Sequence, residues 1–383
     1  MPRSDSTKAV LLPVLVLVLM GAETAVNAQL TELRVIEGDR FMSRSRQLTF
    51  EGRRNGEAYF SPDAGKLIFS GEREPENPFF QIYILDLDTG DSWRVSPGMG
   101  MTTCAYFQPV SLRVLFASSH LDPDADAKVQ AEFERRKTPG HSRYLGWNYN
   151  PHYDVYSSNR DGSDLRRLTD THGYDAEAAY SHNGRMIVLC SMRDAYPLDK
   201  LTPEQRRAFD ARPENFAELY FMNADGTEPR RLTDWWGYDG GPFFSPDDTR
   251  IVWRHFDEGG MLADVYTMKV DGTDRRRLTH FSSMSWAPFY HPSGDYLVFT
   301  TNKHGFDNFE LYLVDAEGRG EPVRVTHTPN FDGMAAFSSD GKTICWTSTR
   351  TSSGLSQLFI ANWNHEAALA ALRQAPARAQ TGD

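Results

Sequence analysis

Carboxylates stand at two fixed distances before an aromatic residue that recurs along this chain. Aspartates lie five residues before it in three copies, glutamates lie three residues before it in two, and an asparagine takes the aspartate position in another: Asp175, Asp239, Asp332, Glu57, Glu177 and Asn55. Carboxylate oxygens are the ligands that Ca²⁺ and Mg²⁺ prefer, and like charges held together repel unless a cation or water separates them. If the five carboxylates converge, they predict a metal site with Ca²⁺ as its cofactor. The alternative is a hydrated acidic funnel, because Asp and Asn are also favoured as turn residues.

Known catalytic motifs are missing from the sequence. It contains no Gly-x-Ser-x-Gly, His-Glu-x-x-His, phosphate loop or dinucleotide fingerprint, so no catalytic residue is predicted. His280 and His327 follow equivalent strands, and His172 lies close to the same place in an earlier copy. Three imidazoles near one site would serve a metal-dependent lyase or hydrolase, which is the alternative to a protein that only binds. Trp286 and nearby aromatic residues would stack on a sugar ring or a peptide.

The recurring aromatic residue marks a repeat that must position these side chains. Its six copies are separated by intervals of 47, 73, 64, 46 and 47 residues: Phe60, Phe107, Tyr180, Phe244, Tyr290 and Phe337. A fixed period of about 40 to 50 residues is typical of propeller blades and of some solenoids. The two long intervals indicate insertions into an otherwise constant unit, which is present six times.

Each copy reads as four short strands. The first strand ends at the aromatic residue, and a tight turn such as Ser61-Pro62-Asp63 leads into an apolar second strand. The third strand carries an apolar-aromatic pair such as Val265-Tyr266, and an Asp-Gly turn then leads to an outer strand that reads Arg-x-Leu-Thr. Units of this size predict an all-β fold, a six-bladed β-propeller with four antiparallel strands per blade over residues 46–362.

The two ends of the repeat region predict how the ring closes. The sixth copy lacks an Arg-x-Leu-Thr segment after Leu358-Phe359, whereas an additional Arg46-Gln47-Leu48-Thr49 precedes the first copy. The N-terminal strand is therefore predicted to complete blade six, which removes an exposed sheet edge. The arginines of the motif are expected to be solvated residues of the outer strands.

These copies resemble the TolB-like propeller repeat, in which Leu-Thr precedes aromatic-Ser-Pro-Asp-Gly, an apolar strand, and an apolar-Tyr strand that ends in Asp-Gly. The resemblance covers residues 46–362, with its closest matches at residues 60–63, 231–247 and 324–342, while residues 108–110 replace the Ser-Pro-Asp turn with Gln-Pro-Val. The copies are also similar to propellers that precede zinc aminopeptidase domains. The resemblance implies a periplasmic or otherwise extracytoplasmic propeller that binds other molecules.

Chain direction in a propeller decides which loops share a face. Loops between second and third strands, and loops entering an innermost strand, share the face that we call the top face; the hairpin turns form the bottom face. Insertions 121–149 and 194–216 both follow a second strand, so they rise above the top face, each with a helix candidate. They form either a ridge on which a partner docks or loop extensions without a function. The second alternative is open because surface loops tolerate insertions. Seven residues are predicted to ring the channel mouth on this face and bind a ligand or partner: Asn55, Glu57, Asp175, Glu177, Asp239, Trp286 and Asp332.

Residues 1–28 have the features of a secretory signal peptide. Arg3 and Lys8 precede an apolar run shorter than the roughly 20 residues that span a bilayer, and Val26-Asn27-Ala28 provides a small-residue cleavage site. Residues 29–45 are predicted to be a leader segment, and residues 363–383 a short helix with a disordered tail. No membrane span is expected after cleavage, which predicts a periplasmic or secreted protein.

Charge and cysteine content limit the partners. The net charge is -11, and an acidic surface repels phosphate backbones, which argues against nucleic acid as the main partner. Cys104, Cys190 and Cys345 are expected to be buried thiols, with one disulfide and a free thiol as the alternative. The sequence thus predicts a monomeric, non-enzymatic, extracytoplasmic binding or scaffold propeller. It would receive a protein or peptide partner on the face with the two insertions.

Overall fold

The computed structural model of the protein describes residues 40–138 and 149–378. These residues form six four-stranded antiparallel sheets, each a blade that runs from an innermost strand at a central channel to an outermost strand at the rim. The prediction of an all-β, six-bladed propeller with four strands per blade is confirmed.

The strands follow one another in chain order within each blade, except that β1 (Met42–Gln47) belongs to blade six. Blades one to three consist of β2 (Arg54–Phe60), β3 (Lys66–Glu72), β4 (Gln81–Asp86) and β5 (Ser92–Arg94); β6 (Thr102–Phe107), β7 (Arg113–Ser118), β8 (Asp154–Asn159) and β9 (Arg166–Arg167); and β10 (Asp175–Tyr180), β11 (Met186–Ser191), β12 (Glu218–Asn223) and β13 (Arg230–Arg231). Blades four to six consist of β14 (Tyr238–Phe244), β15 (Arg250–Phe256), β16 (Ala263–Lys269) and β17 (Arg276–Arg277); β18 (Ser285–Tyr290), β19 (Tyr296–Thr301), β20 (Glu310–Asp315) and β21 (Val323–Arg324); and β22 (Asp332–Phe337), β23 (Thr343–Ser348), β24 (Gln357–Trp363) and β1.

The hydrophobic core lies between neighbouring blades. Ile68 of blade one, for example, packs in one buried cluster with Val114 and Phe116 of blade two. Because both faces of a middle strand are covered, such strands are apolar at consecutive positions. Leu67, Ile68 and Phe69 are all fully buried.

A hydroxyl after each outermost strand fixes that strand to the third strand of its blade. In all six blades it accepts a backbone N–H of the third strand at 2.9 to 3.0 Å; the hydroxyls belong to Ser96, Thr169, Thr233, Thr279, Thr326 and, in blade six, Thr49. Thr279 and Thr326 also donate to the acids of their third strands, Asp264 and Glu310, at 2.6 and 2.5 Å. These bonds explain why Leu-Thr recurs in the sequence.

The arginine of the same motif is ion-paired, contrary to the expectation that it is only solvated. In four blades it meets a largely buried acid near the start of the third strand, at 2.5 to 2.7 Å: Arg167–Asp154, Arg231–Glu218, Arg277–Asp264 and Arg324–Glu310. A buried carboxylate needs a partner. The outer strand pairs with the third strand, so its arginine can reach the acid of that strand.

The N-terminal strand completes blade six, because β1 pairs antiparallel with β24. The strand begins at Met42 rather than at Arg46, with a register irregularity between Ser43 and Arg46. The predicted signal peptide, residues 1–28, and the predicted leader up to residue 39 lie outside the described residues.

The described helices lie in the two insertions and near the C-terminus: α1 (Ala125–Lys137), α2 (Pro203–Ala211) and α3 (His365–Gln374), with short 3₁₀ turns at Arg193–Ala195 and Pro213–Asn215. Helix α2 begins with the capping box that its sequence indicates: Thr202 Oγ1 accepts the Gln205 N–H at 3.2 Å and the Gln205 side chain accepts the Thr202 N–H at 3.0 Å. Over residues 40–138 and 149–378, no helix is long and apolar enough to cross a membrane. The end of the predicted tail, residues 379–383, lies outside the described part.

Candidate functional site

Three residues of the predicted ring lie at the starts of innermost strands and turn into their blades. The side chains of Asp175 and Asp332 are 1% exposed, and each pairs with an arginine after the second strand of the same blade, Arg193 at 2.8 Å and Arg350 at 2.6 Å. Burial raises the pKa of both carboxyls, and the facing arginines oppose that rise. Asn55 takes the same position in blade one and is also fully buried. These side chains hold blades together and do not face the channel.

Asp239 holds the same position in blade four but lacks the arginine. Asp257 stands where the other blades carry a basic residue, and Asp239 Oδ1 is bonded by Trp253 Nε1 at 2.9 Å and meets His255 Nδ1 at 2.8 Å. Its Oδ2 is buried and has no hydrogen-bond partner in the described part of the chain. Burial, reinforced by the charge of Asp239, raises the pKa of Glu218 in blade three to about 7. The blade three–four interface therefore holds a titratable group near neutral pH.

The five predicted carboxylates are not gathered into one ring. Only Glu57 and Glu177, three residues before the aromatic anchor, line the channel. Within the two described ranges, no three His, Cys, Asp or Glu side chains lie close enough together to hold a metal ion. Side-chain partners within the blades draw the three aspartates away from the axis, so these residues do not assemble the predicted Ca²⁺ site.

The innermost strands share a bulge at the position three residues before the anchor. The register of each innermost strand against its neighbour shifts there. The residues at the bulge have positive φ, between 49° and 58°: Glu57, Cys104, Glu177, Gly241, Ala287 and Met334. A left-handed backbone costs a non-glycine residue about 1 kcal/mol or more, and such strain clusters at functional sites. All six are partly exposed, which places them on the channel wall at one level.

Glu177 is held by three donors from blade four. Its Oε1 accepts from Arg254, and its Oε2 accepts from the Tyr238 hydroxyl at 3.0 Å and from the Gly241 N–H at 2.7 Å. A Cβ at Gly241 would lie 1.9 Å from a guanidinium nitrogen of Arg254. Only glycine leaves room for this ion pair, which neutralises one side of the channel.

Glu57 has no cationic partner among the described residues. Its Oε2 accepts from the Thr103 hydroxyl at 3.2 Å and from the Cys104 N–H at 3.4 Å, and its Oε1 lies 3.5 Å from the Tyr59 hydroxyl. Burial, followed by the charge of Glu177, raises the pKa of Glu57. Burial and the same two glutamates hold the pKa of the Cys104 thiol well above its usual range. Glu57 is thus a carboxyl in the channel that only neutral donors contact.

Four aromatic rings fill the channel below the bulges. Tyr59, Tyr106, Phe243 and Phe289 stand one residue before the anchor, with centroids 5.0 to 5.8 Å apart. Tyr59 reaches across the axis from blade one to Phe243 of blade four, at 5.2 Å. The two remaining blades have small residues at this position, Ala179 and Ala336. The rings therefore close the channel from below, and the six bulge residues line the space above them, which we call the well.

Trp286 is the predicted site residue next to the bulge of blade five. Its ring centroid lies 6.1 Å from that of Phe309 and 6.4 Å from that of Phe331, and these two are 5.5 Å apart. The Trp286 indole N–H is buried without a hydrogen-bond partner in the described residues. The three rings form an aromatic rim on the blade five–six side of the well, next to blade one, which carries Glu57.

The helices of the two insertions are packed onto the top face. Val129 of α1 is buried and Phe133 packs beside it against a cluster that includes Tyr153 and Tyr174. Arg136 at the end of α1 reaches blade one, where it pairs with Glu72 at 2.5 Å. Helix α1 therefore lies across the interface between blades one and two.

Helix α2 is attached to the blade three–four region. Phe209 packs 5.7 Å from Tyr196 and 5.6 Å from Phe216. The Tyr196 hydroxyl lies 3.1 Å from Glu218 Oε1 and 2.9 Å from the carbonyl oxygen of Gly237. Helices α1 and α2 are thus both packed onto the top face.

Large apolar side chains are exposed mainly on the top face. Ten large hydrophobic residues of the described part are well exposed, and chain direction assigns seven of them to the top-face loops and three to the bottom face. The top-face residues are Phe50, Met99, Leu121, Leu198, Met261, Leu262 and Phe306; the bottom-face residues are Val110, Leu112 and Leu165.

The histidines and cysteines do not form the groupings that a metal or redox centre needs. His172 lies 6.0 Å from His152, ring to ring, but within residues 40–138 and 149–378 no three-histidine group meets His280 or His327. All three cysteines are free, so the alternative of a disulfide is wrong.

Part of this chain matches a family model, and its fold is similar to those of several solved structures. Residues 263–374 match the family model described as the TolB beta propeller domain. A putative TolB from Agrobacterium tumefaciens is similar at 18% identity and a TM-score of 0.54, over 83% of this chain and 94% of that chain. TolB from Acinetobacter baumannii is similar at 14% identity and 0.52, over 94% and 70%. An oligogalacturonate lyase from Vibrio parahaemolyticus is similar at 12% identity and 0.51, over 84% and 94%. At these identities the likeness shows the fold alone, which proteins of different activities share.

Proposed function

We propose that this six-bladed β-propeller, part of which matches the TolB beta propeller domain, is a non-enzymatic binding protein. It receives a protein or peptide partner on the top face, around the mouth of the well.

The observation that carries the proposal is the uneven distribution of exposed apolar side chains. Seven of the ten exposed large hydrophobic residues lie in top-face loops. Exposed apolar surface with a polar rim is typical of protein-binding sites. The helices of the insertions support this assignment, because both lie on that face: Val129 of α1 is buried there, and Phe209 of α2 packs against Tyr196 and Phe216.

The proposal also includes an extracytoplasmic location. It rests on the basic residues, short apolar run and cleavage site of residues 1–28. Mass analysis of the protein recovered from outside the cytoplasm should give a chain that begins at Gln29. A cytoplasmic chain that retains Met1 would contradict it.

Site-specific photo-crosslinking tests the binding face. A benzophenone amino acid replaces Leu198, Met261 or Phe306 on the top face, or Val110 or Leu112 on the bottom face as matched exposed controls. In extracts of the source organism, the top-face variants should give one shared adduct and the bottom-face variants none. Adducts of equal yield from both faces, or from the bottom face alone, would overturn the proposal.

The alternative of a metal-dependent lyase or hydrolase has no residue grouping in its favour. It needs several ligands at the mouth, and the described residues do not bring three together. The fold shared with an oligogalacturonate lyase does not distinguish the two functions, because one fold hosts many activities.

A further inference from the structure

The well joins two unlike walls around a single axis. On one side the carboxyl of Glu57 is bonded only by neutral donors. On the neighbouring blade five–six side the rings of Trp286, Phe309 and Phe331 lie together. Aromatic faces attract cations, and a carboxylate forms its strongest hydrogen bonds with charged donors. Both walls therefore favour a positively charged group.

Glu177 provides a comparison within the same channel. It occupies the equivalent bulge two blades away, and there the protein itself supplies the cation, Arg254. The hydroxyl of Tyr238 and the N–H of Gly241 complete the set of donors to this carboxylate. Glu57 also receives hydroxyl and N–H donors, but no arginine or lysine of the described residues pairs with it.

The backbone shows that the position of Glu57 is imposed by the fold. Glu57 has a φ of 51°, a conformation that disfavours a non-glycine residue. Its backbone N–H donates to Thr347 Oγ1 of blade six at 3.0 Å, which fixes the bulge between two blades. The carboxyl is therefore presented to the well by a rigid element, as a preorganised binding group would be.

We infer that the well takes an ammonium group of the bound peptide, either a lysine side chain or the amino terminus, which pairs with Glu57 beneath the aromatic rim. The inference rests on the proposed function, because it names the chemistry of the group that the partner inserts.

An ammonium beside Glu57 should lower the pKa of that carboxyl, which burial raises in the empty site, so binding should release protons at a pH between the two pKa values. The titratable groups that face Glu57 are Tyr59, Cys104, Tyr153 and Glu177, the last of which is paired with Arg254. The tyrosines and the thiol have pKa values raised by burial. They stay neutral at pH 6 to 8, so the released proton would come from Glu57.

Three small peptides test the inference without knowledge of the partner. Acetyl-phenylalanyl-lysine amide carries only the side-chain ammonium, phenylalanyl-norleucine amide only the terminal one, and acetyl-phenylalanyl-norleucine amide neither. Isothermal titration of the protein in two buffers of different ionisation enthalpy measures affinity and proton release together. At least one charged peptide should bind tenfold or more tightly than the neutral one and release protons. Which of them binds identifies the source of the ammonium.

Two isosteric variants locate the site. Glu57→Gln should remain folded, since Gln still accepts from Thr103 and Cys104, and should lose at least tenfold in affinity together with the proton release. Glu51→Gln makes the same charge change at an exposed top-face residue and should bind as the unmodified protein does. Equal affinity for the charged and neutral peptides, or undiminished binding by Glu57→Gln, would overturn the inference. Binding of Ca²⁺ from calcium chloride at Glu57, with no binding of either ammonium, would also overturn it.

The two proposals can fail separately. If the top-face crosslinks form but no ammonium peptide binds, the well inference alone is wrong. If the peptides bind at Glu57 but the crosslinks arise from the bottom face, the proposed partner surface is wrong while the well remains a cation site.

Discussion

The hydroxyl of Thr49 donates to the side-chain oxygen of Gln357 at 2.7 Å, across 308 positions of sequence. It also accepts the backbone N–H of Leu358 at 2.9 Å. Thr279 and Thr326 make the same two bonds within their own blades. Blade six is thus closed by the same local chemistry as the others, although its outer strand comes from the opposite end of the chain.

Removal of this hydroxyl should weaken the whole ring. Thr49→Val keeps the shape of the side chain but leaves the Leu358 N–H without its partner and the buried Gln357 oxygen with Asn55 as its remaining donor. The unsatisfied N–H costs about 1–3 kcal/mol. Urea unfolding measures the loss. Thr89→Val removes a hydroxyl from an exposed turn and should change stability by less than about 0.5 kcal/mol. An equally small effect at Thr49 would mean that the closing contact contributes little.

The buried pair of Asp332 and Arg350 should behave as a unit. Arg350→Met retains the contact with the Trp346 ring but leaves the Asp332 carboxylate buried and uncompensated, which costs about 3–5 kcal/mol. Adding Asp332→Asn to Arg350→Met should recover much of that loss, because the stranded charge is gone. Urea unfolding of the two single variants and the double variant gives the coupling between them. A double variant as unstable as the sum of the singles would show that the two residues act independently.

Glu218 should make the protein less stable as the pH rises. Its pKa is raised to about 7, against an ordinary 4.5, by burial and by the charge of Asp239. The native state therefore holds a proton that the unfolded chain has released, and stability falls as the pH climbs through this window. Glu218→Gln, which can still accept from Arg231 and Tyr196, should flatten the pH dependence of urea unfolding between about pH 5 and 8.

An exposed glutamate provides the control for that measurement. Glu134 is 68% exposed, and Glu134→Gln should leave the slope of stability against pH unchanged. If Glu218→Gln has the same slope as the unmodified protein, the neutral-pH titration belongs to another group at the blade three–four interface.

The C-terminal helix should be weakened by acid. The His291 ring stacks on that of His365, the first residue of α3, at 4.4 Å and 9°, and its Nδ1 accepts the Ser293 N–H at 3.1 Å. Burial lowers the pKa of His291 to about 4. In the unfolded chain His291 takes up a proton near pH 6.5, whereas in the native state it stays neutral down to about pH 4. The contribution of His291 to stability is therefore complete above pH 6.5 and is lost as the pH falls toward 4.

Hydrogen exchange of α3 between pH 7 and 4.5 measures this effect. Protection of the helix should decrease as the pH falls, and His291→Gln should make it less sensitive to acid, with some loss of stability at pH 7. His327→Gln changes an exposed histidine and should leave the acid response as it was. Identical profiles for the unmodified protein and His291→Gln would exclude the stacked pair as the cause.

The sequence predicts the fold well because its signals are periodic. Anchor residues such as Phe244 and Tyr290 recur at a nearly constant interval, and the additional segment before the first copy predicts the closing strand. The constant interval reflects the number of residues that one blade needs, and the additional segment reflects the need to complete blade six. Neither depends on the identity of a single side chain.

The site was less predictable because it depends on backbone conformation. Asp332 stands five residues before its anchor and Glu57 stands three residues before its own. The Asp332 side chain nevertheless faces its blade, whereas the Glu57 side chain faces the channel. The bulge at the position of Glu57 decides the direction, and residues such as Cys104 or Met334 give no hint of a positive φ. Gly241 is the one bulge residue whose type agrees with that backbone. The ion pair of Glu177 with Arg254 links two blades, which spacing within one repeat does not reveal.

Closure of blade six by β1 also has a consequence for the order of folding. Among the described strands, the first to leave the ribosome, β1, pairs with the last, β24, so β1 has no partner until the other strands of the propeller have been synthesised. Contacts of such large sequence separation form slowly. During that interval an unpaired strand edge is open to wrong partners, and the ring becomes complete only when the final strand arrives.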